Sequence, residues 1–369
     1  MIDKDEKFMR EALRQAKRAL GRTSPNPMVG ALIVRGDRIL ARGYHRGPGQ
    51  KHAEADALTK LKKKVDKNDI LYVTLEPCNH FGRMPPCTEA ILTSGIKRIV
   101  IGMKDPNPHV TGGGAKYLLN KGLEVKIGVL EAECRRLNEA YVKHVTTDTP
   151  FIILKSAQTL DGWTATVTGH SKWITNERSR VFVHRLRDRV DAVMVGIGTV
   201  LADDPSLTSR LPGKKTKDPV RIIVDTKLRI SSQAKVIKNQ SSAKTIIAVG
   251  PKILKKRINA YESGGVSIIK CPLKKGLIDL HVLFQKLGAM SLNSVLVEGG
   301  SGITGSLIRE RLVDKFYIFK APKILGGEDG FPLASGPGVK RMDQCLSLRE
   351  IKISRFEEDI LIEGYPVYK

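Results

Sequence analysis

The sequence predicts two consecutive α/β domains, an N-terminal three-layer domain and a C-terminal domain built on a largely parallel sheet. Three observations support this prediction. The chain has 369 residues, of which 41% are hydrophobic, and this is enough for two ordinary cores. Helix and strand patterns alternate through the first part. The second part contains short β-branched runs of the kind that sheets bury on both faces.

The first part is predicted to begin with a helix and a strand pair. The predicted elements are a helix over about 5–20, strands at 29–34 and 38–43 around Gly36-Asp37, a helix from about Ala53, a strand at 70–75, a helix from near Cys87, a strand at 98–101, a helix from Ala115 and a strand at 124–129. Gly95 and Gly122 stand where helix C-terminal glycines belong.

The second part is predicted to form a parallel sheet covered by helices. Its strand candidates are DAVMVG, VRIIVD, KTIIAVG, VSIIKC, SVLVEGG and KFYIF. The polar segment VTTDTP precedes the apolar run FIIL, which indicates a boundary near residue 147. The predicted domains are therefore 1–147 and 148–369.

Charge and composition narrow the class of protein. The net charge of +25 is spread over short Lys and Arg clusters, so it indicates a solvated basic surface that attracts phosphorylated small molecules, and no nucleic-acid partner is expected. The sequence shows no apolar run long enough to cross a bilayer, and its first 21 residues read as an amphipathic helix pattern with no signal-peptide core. Five cysteines, an odd number, suit reduced thiols and a metal site. A cytoplasmic protein without a membrane partner is expected.

The strongest local signal is a candidate metal site. His52 and Glu54 are followed by Cys78 and, after eight intervening residues, by Cys87. One His and two thiolates leave the fourth tetrahedral position of a zinc ion open for water, as a catalytic zinc requires. Glu54 would carry the proton from that water to a leaving amine, which is the pattern of zinc-dependent nucleobase deaminases. The alternative is a structural zinc knuckle, for which His80 is the nearby candidate fourth ligand.

Longer segments resemble one enzyme family. The stretches EPCNHFGRMPPC, TSPNPMVGALIV, GYHRGPGQKHAE and KDPNPHVTGGG resemble the deaminase domain of the bifunctional deaminase–reductase family of riboflavin biosynthesis. The resemblance continues through LKSAQTLDGW, TGHSKWITN, MVGIGTVLADDPSLTSR, VLVEGGSGITGSL and APKILGG, so it covers nearly the whole chain. It implies a cytidine-deaminase-like domain followed by a dihydrofolate-reductase-like domain.

The resemblance also implies chemistry. Zinc-dependent deamination of a phosphorylated pyrimidine ribosylamine would come first, and NADPH would then reduce the ribosyl group to ribityl. One zinc per chain and a homo-oligomer are expected. The deaminase substrate would contact Asn26, His45 and Asn107, together with His80 and Arg83 of the loop between the cysteines. Each of these polar residues is also a common turn or capping residue.

In the second domain the resemblance separates a cofactor side from a substrate side. The cofactor side comprises Ala157, Trp173, Thr199, Asp203, Thr226, Gly300, Ser301, Gly302, Ile303, Thr304, Gly305 and Ser306. The substrate side comprises Ser171, Arg187, Leu207, Arg210 and Glu298. The glycine turn after SVLV would bring backbone N–H groups to a pyrophosphate, although such turns are also common as plain structure. Arg187 and Arg210 are candidates for binding a phosphate, or for surface salt bridges.

Two other functions fit parts of the sequence. A tRNA-editing deaminase with an accessory nucleic-acid-binding domain would account for the basic charge. The second alternative is a binding protein that has lost catalysis. The complete set of His52, Glu54, Cys78 and Cys87 argues against this alternative.

Overall fold

The structure is a computed structural model that describes residues 3–80, 85–108, 113–238, 241 and 243–368. The chain folds as two compact units, Met1–Asp148 and Thr149–Lys369. Each unit has its own hydrophobic core. Within the described residues, no helix combines the length and the apolar character needed to cross a bilayer.

The first unit contains a five-stranded sheet in the order β2-β1-β3-β4-β5. Its strands are β1 (Gly30–Arg35), β2 (Arg38–Tyr44), β3 (Asp69–Leu75), β4 (Arg98–Met103) and β5 (Glu124–Ile127). Its helices are α1 (Lys4–Lys17), α2 (Ala53–Lys60), α3 (Cys87–Ser94), α4 (Gly114–Asn120), α5 (Glu131–Leu137) and α6 (Glu139–Thr147). The central strands β1, β3 and β4 are almost fully buried, as strands covered by helices on both faces must be. The predicted three-layer architecture is confirmed.

One glycine sets how closely α2 approaches this sheet. A Cβ atom on Gly43 in β2 would lie 2.1 Å from the carbonyl oxygen of Ala53, the first residue of α2. Only glycine allows that approach, so Gly43 fixes the position of the helix that follows His52 and carries Glu54 in its first turn.

The second unit contains a nine-stranded sheet in the order β11-β10-β9-β8-β14-β6-β15-β18-β17. Its strands are β6 (Phe151–Gln158), β8 (Ala192–Gly196), β9 (Val220–Val224), β10 (Thr245–Val249), β11 (Val266–Lys270), β14 (Ser294–Val297), β15 (Lys315–Lys320), β17 (Ser347–Phe356) and β18 (Asp359–Val367). Four short strands pair outside it, β7 (Trp163–Ala165) with β16 (Phe331–Pro332) and β12 (Leu273–Lys274) with β13 (Leu277–Ile278). The helices are α7 (Glu177–Arg187), α8 (Ile197–Asp203), α9 (Lys235–Lys238), α10 (Lys255–Glu262), α11 (Leu280–Ala289) and α12 (Ser301–Arg309).

The pairing confirms a largely parallel sheet. Every neighbouring pair from β11 to β15 is parallel, and all six predicted β-branched runs are strands of this part. The antiparallel hairpin of β17 and β18 that completes the sheet was not predicted. Its first strand is mostly exposed, so it lacks the apolar run that marks a buried strand.

Candidate active sites

The first site brings together His52, Cys78 and Cys87, whose ligand atoms all lie within 4.8 Å of one another. His52 immediately precedes α2, Cys87 begins α3, and Cys78 lies three residues beyond the end of β3. The backbone N–H of Cys87 donates to the Sγ atom of Cys78 at 3.3 Å. A helix N-terminus favours a thiolate over a thiol. The hydrogen bond with the Cys87 side chain, followed by the one with His52, lowers the pKa of the Cys78 thiol well below its ordinary value.

These three side chains match the geometry of a zinc site. The Nδ1 atom of His52 lies 3.2 Å from Sγ of Cys87 and 3.5 Å from Sγ of Cys78. In a tetrahedral site with Zn–N near 2.0 Å and Zn–S near 2.3 Å, the edge between a nitrogen and a sulfur ligand is about 3.5 Å. The donor set therefore fits zinc.

Glu54 is the buried acid of this site. Glu54 lies in the first turn of α2 and is only 3% exposed. Burial raises the pKa of this carboxyl to about 7, and the charge of Cys78 adds to the increase. A carboxyl with a pKa near neutrality can both accept and release a proton at physiological pH, as general acid/base catalysis requires.

His45 and Asn26 lie beside the metal ligands. The rings of His45 and His52 meet edge to face, with their centroids 5.4 Å apart. The Nδ1 atom of His45 lies 3.1 Å from the Lys51 carbonyl oxygen, and its Nε2 atom lies 3.1 Å from the Nδ2 atom of Asn26. Burial lowers the pKa of His45, so its ring is neutral, with Nδ1–H donating to Lys51 and Nε2 accepting from Asn26.

The remaining predicted deaminase residues are Asn107, His80 and Arg83, and the structure describes the first two. Asn107 lies in the loop after β4, where its N–H donates to Asp105 at 3.0 Å. His80 is exposed at the start of the loop between the cysteines. Arg83 lies outside the described residues. A role in substrate binding stays a prediction for all three.

The second site is a cavity of about 1210 Å³ in the second unit. It opens at the carboxyl ends of β6, β8, β9 and β14, which is where open α/β sheets bind ligands. Eleven of the twelve predicted cofactor-side residues line this cavity: Ala157, Trp173, Thr199, Asp203, Thr226, Gly300, Ser301, Gly302, Ile303, Thr304 and Ser306. All five predicted substrate-side residues, Ser171, Arg187, Leu207, Arg210 and Glu298, also line it.

The glycine turn after β14 forms one wall of this cavity. Gly299 and Gly300 have φ values of 139° and 83°, and the helix α12 begins at the next residue. These backbone angles require glycine, and they leave the first N–H groups of α12 at the cavity wall. Gly305 departs from the prediction because it does not line the cavity: its Cβ would lie 2.1 Å from the Ser335 carbonyl oxygen, so it serves close packing.

Arg187 is held in an ion pair with Glu298, so the structure shows a salt bridge for this residue, while its contact with a substrate phosphate stays a prediction. Its Nε and Nη2 atoms both donate to Glu298, the latter at 2.9 Å, and its Nη1 atom donates to the Thr208 carbonyl oxygen at 3.0 Å. Burial alone would raise the pKa of Glu298, but the charge and hydrogen bonds of Arg187 outweigh it and lower that pKa. The forked face of Arg187 is therefore occupied by Glu298.

Lys155 is a cavity residue that was not predicted. It lies on β6 and lines the cavity beside the Arg187–Glu298 pair, whose charges both act on its ammonium group. Burial lowers the pKa of Lys155, and the Arg187 charge adds to this effect while the Glu298 charge opposes it. A lysine inside the strand FIILKSAQ was the available sequence signal, because lysines are almost never buried without a partner or a function.

Comparisons with known proteins define the family. Residues 150–362, more than half of the chain, match the model described as "RibD C-terminal domain". The chain belongs to the RibD family of riboflavin biosynthesis proteins. Residues 2–103 match the zinc-binding region of cytidine and deoxycytidylate deaminases. The RibD family assignment confirms the predicted fold class and the predicted combination of a deaminase with a reductase.

RibD relatives cover almost the whole chain. The riboflavin biosynthesis protein RibD of Aquifex aeolicus is 42% identical over 97% of this chain and 97% of its own, and that of Actinobacillus pleuropneumoniae is 40% identical over 98% and 95%. Two solved structures each cover 99% of both chains. These are a diaminohydroxyphosphoribosylaminopyrimidine deaminase/5-amino-6-(5-phosphoribosylamino)uracil reductase of Thermotoga maritima, with TM-score 0.86 and 37% identity, and RibD of Acinetobacter baumannii, with TM-score 0.89 and 33% identity. A reductase domain in the second half does not favour the tRNA-editing alternative.

Proposed function

We propose that the chain deaminates 2,5-diamino-6-(5-phosphoribosylamino)pyrimidin-4-one with one zinc per chain and then reduces the ribosyl group of 5-amino-6-(5-phosphoribosylamino)uracil with NADPH. The observation that carries the first step is the cluster of His52, Cys78 and Cys87 ligand atoms beside the buried Glu54. Zinc held by these ligands would supply a Lewis acid that makes water a nucleophile near neutral pH.

The side chains of the first site divide the work of deamination. Glu54 takes a proton from the attacking water and delivers it to the leaving amine, so that water and the ring C–NH₂ become C=O and ammonia. Burial favours the neutral form of this carboxyl, which is the form that returns the proton to the leaving amine. Asn26, oriented by its hydrogen bond to His45, would bind the polar edge of the pyrimidine, and Asn107 would contribute a second amide.

The side chains of the second site orient and protonate the sugar. NADPH would supply the hydride. Lys155, with its lowered pKa, donates the proton that the sugar ring oxygen needs when the ring opens to accept hydride at C1′. The Arg187–Glu298 pair fixes the charges around Lys155. Arg210 is exposed at the cavity and provides a forked donor for the substrate phosphate.

The order of the two reactions gives a direct test. With the diaminopyrimidine substrate and no NADPH, the zinc-loaded protein is expected to release ammonia and stop at the uracil compound. Addition of NADPH should then start cofactor oxidation and ribityl formation. NADPH oxidation that begins on the diaminopyrimidine before any ammonia appears would contradict the proposed order.

Two positively charged side chains that line the cavity support the choice of NADPH over NADH. Arg229 and Lys235 line the cavity near Thr226. The Asp225 carboxylate accepts the N–H of Ile230 at 2.8 Å and lies 3.7 Å from Nε of Arg229, so the turn that carries Arg229 is fixed. A positively charged arginine at this place suits the 2′-phosphate that distinguishes NADPH from NADH.

Replacing Arg229 by Ala is expected to raise KM for NADPH about 10- to 100-fold, because a charge-assisted contact contributes roughly 1.5–3 kcal/mol. Activity with NADH, which has no 2′-phosphate, should change little. The measurement compares kcat/KM for both cofactors at one ionic strength. Lys227→Ala is the control, since this neighbouring lysine is exposed and does not line the cavity. Equal losses with both cofactors would contradict this role of Arg229.

A homo-oligomer and a cytoplasmic location stay predictions. The outer strand β17 presents exposed apolar side chains at Ile351 and Ile353, and Ile353 is 68% exposed. A sheet edge with exposed isoleucines is a surface that a second copy of the chain would cover. None of the five cysteines is in a disulfide, which is compatible with a reducing compartment.

A further inference from the structure

The junction between α5 and α6 contacts the loop that precedes β1. Asn138 forms this junction and is only 2% exposed. Its side-chain oxygen accepts the N–H of Met28 at 2.8 Å, and its side-chain nitrogen donates to the carbonyl oxygen of Met28 at 3.0 Å. Both halves of one amide are thus bonded to the backbone of one residue, 110 positions earlier in the chain.

The loop held by Asn138 carries Asn26. The N–H of Asn26 closes a turn onto the Thr23 carbonyl oxygen at 2.8 Å, and its side chain donates to His45 beside the metal ligands. Met28 is two residues away, so the amide bonds from Asn138 fix the end of the short segment that presents the Asn26 side chain.

Tyr141, about one turn further along α6, contacts a second loop. Its hydroxyl donates to the Asp105 carboxylate at 3.0 Å, and the same carboxylate oxygen accepts the N–H of Asn107 at 3.0 Å. The Asn107 side chain also hydrogen-bonds with Tyr141. The N–H of Asp105 donates to Glu76 at 3.1 Å, two residues before the metal ligand Cys78. One helix therefore anchors the loops of Asn26 and of Asn107.

We propose that Asn138 and Tyr141 are positioning residues for deamination. Through them, α6 holds the loops that carry Asn26 and Asn107 in the positions that substrate binding requires. This inference rests on the proposed roles of Asn26 and Asn107. The match to the zinc-binding region of cytidine and deoxycytidylate deaminases covers residues 2–103, so α6 lies outside that matched region. Misplacing a binding group by about 1 Å can cost up to about 100-fold in rate, so buried directional contacts at this distance are expected to affect the reaction.

The test uses Asn138→Ala and Tyr141→Phe, each alone and combined with Asn26→Ala or Asn107→Ala. Each single variant is expected to raise KM for the pyrimidine substrate about 10-fold, with unchanged zinc content and a smaller change in kcat. Because Asn138 acts through Asn26, the double variant should be no worse than Asn26→Ala alone, and the same should hold for Tyr141 with Asn107. Tyr72→Phe is the matched control, since it removes another buried tyrosine hydroxyl of this unit, the one bonded to Asp5 at 2.7 Å.

The outcomes separate the two proposals. If Asn26→Ala and Asn107→Ala leave KM unchanged, their proposed substrate roles fail. If these variants raise KM but the α6 variants do not, or if the effects simply add, the positioning role is overturned. Tyr141→Phe removes one oxygen atom only, so it decides the question even if Asn138→Ala fails to fold.

Discussion

Glu54→Gln is expected to lower ammonia release at least about 100-fold while the protein keeps its zinc and its fold. Gln has the same shape but cannot take a proton from water or pass one to the leaving amine. Glu54 does not line the cavity of the second unit, so reduction of already deaminated substrate should be unaffected. Zinc content, ammonia release and NADPH oxidation are measured on one preparation.

Two further variants help to interpret the result for Glu54→Gln. Asp56→Asn removes another buried carboxylate of α2, one that accepts from the Tyr44 N–H and from Lys60 and should leave deamination nearly unchanged. Cys87→Ala should lose zinc as well as activity, because only two protein ligands remain. Near-normal ammonia release by Glu54→Gln would show that another group carries the proton.

The sequence was most informative where the chemistry restricts residue type. A catalytic zinc needs soft ligands at fixed positions, so His52, Cys78 and Cys87 could be selected from local spacing, and the structure brings their ligand atoms together. The residues of the second site were harder to predict, since hydride transfer needs mainly shape and orientation: the glycine turn gave a weak local signal, and most of the other residues came from the family resemblance.

Pairings between distant residues could not be predicted. Arg187 and Glu298 are 111 positions apart, and neither sequence context indicates that they bond to each other. The contacts of Asn138 with Met28 and of Tyr141 with Asp105 span 110 and 36 positions. Such contacts arise from the packing of elements, which single-sequence patterns do not encode. The structure thus adds Glu298 as the partner of Arg187, and the substrate contact of Arg187 stays a prediction.

Lys155→Met is expected to lower the rate of ribosyl reduction about 100-fold or more while NADPH still binds, because the variant keeps the length of the side chain and removes its proton. The pKa of Lys155 is lowered by burial, so the reductase rate of the wild-type protein should fall as pH rises through a value below the ordinary lysine pKa of about 10.4. That decrease should be missing from the residual activity of the variant. The measurement is NADPH oxidation with deaminated substrate across pH.

Stability separates loss of the proton donor from loss of the fold. Since the pKa of Lys155 is lower in the folded than in the unfolded chain, the unfolded state binds more protons between the two values, and the charged group opposes folding at neutral pH. Removing the charge should therefore leave the melting temperature at pH 7 unchanged or higher. Lys320→Met is the matched control: burial also lowers the pKa of Lys320, but this lysine bonds to the Thr159 carbonyl oxygen and does not line the cavity. If both variants lose reduction equally, or if Lys155→Met also loses NADPH, then Lys155 is not the proton donor of this reaction.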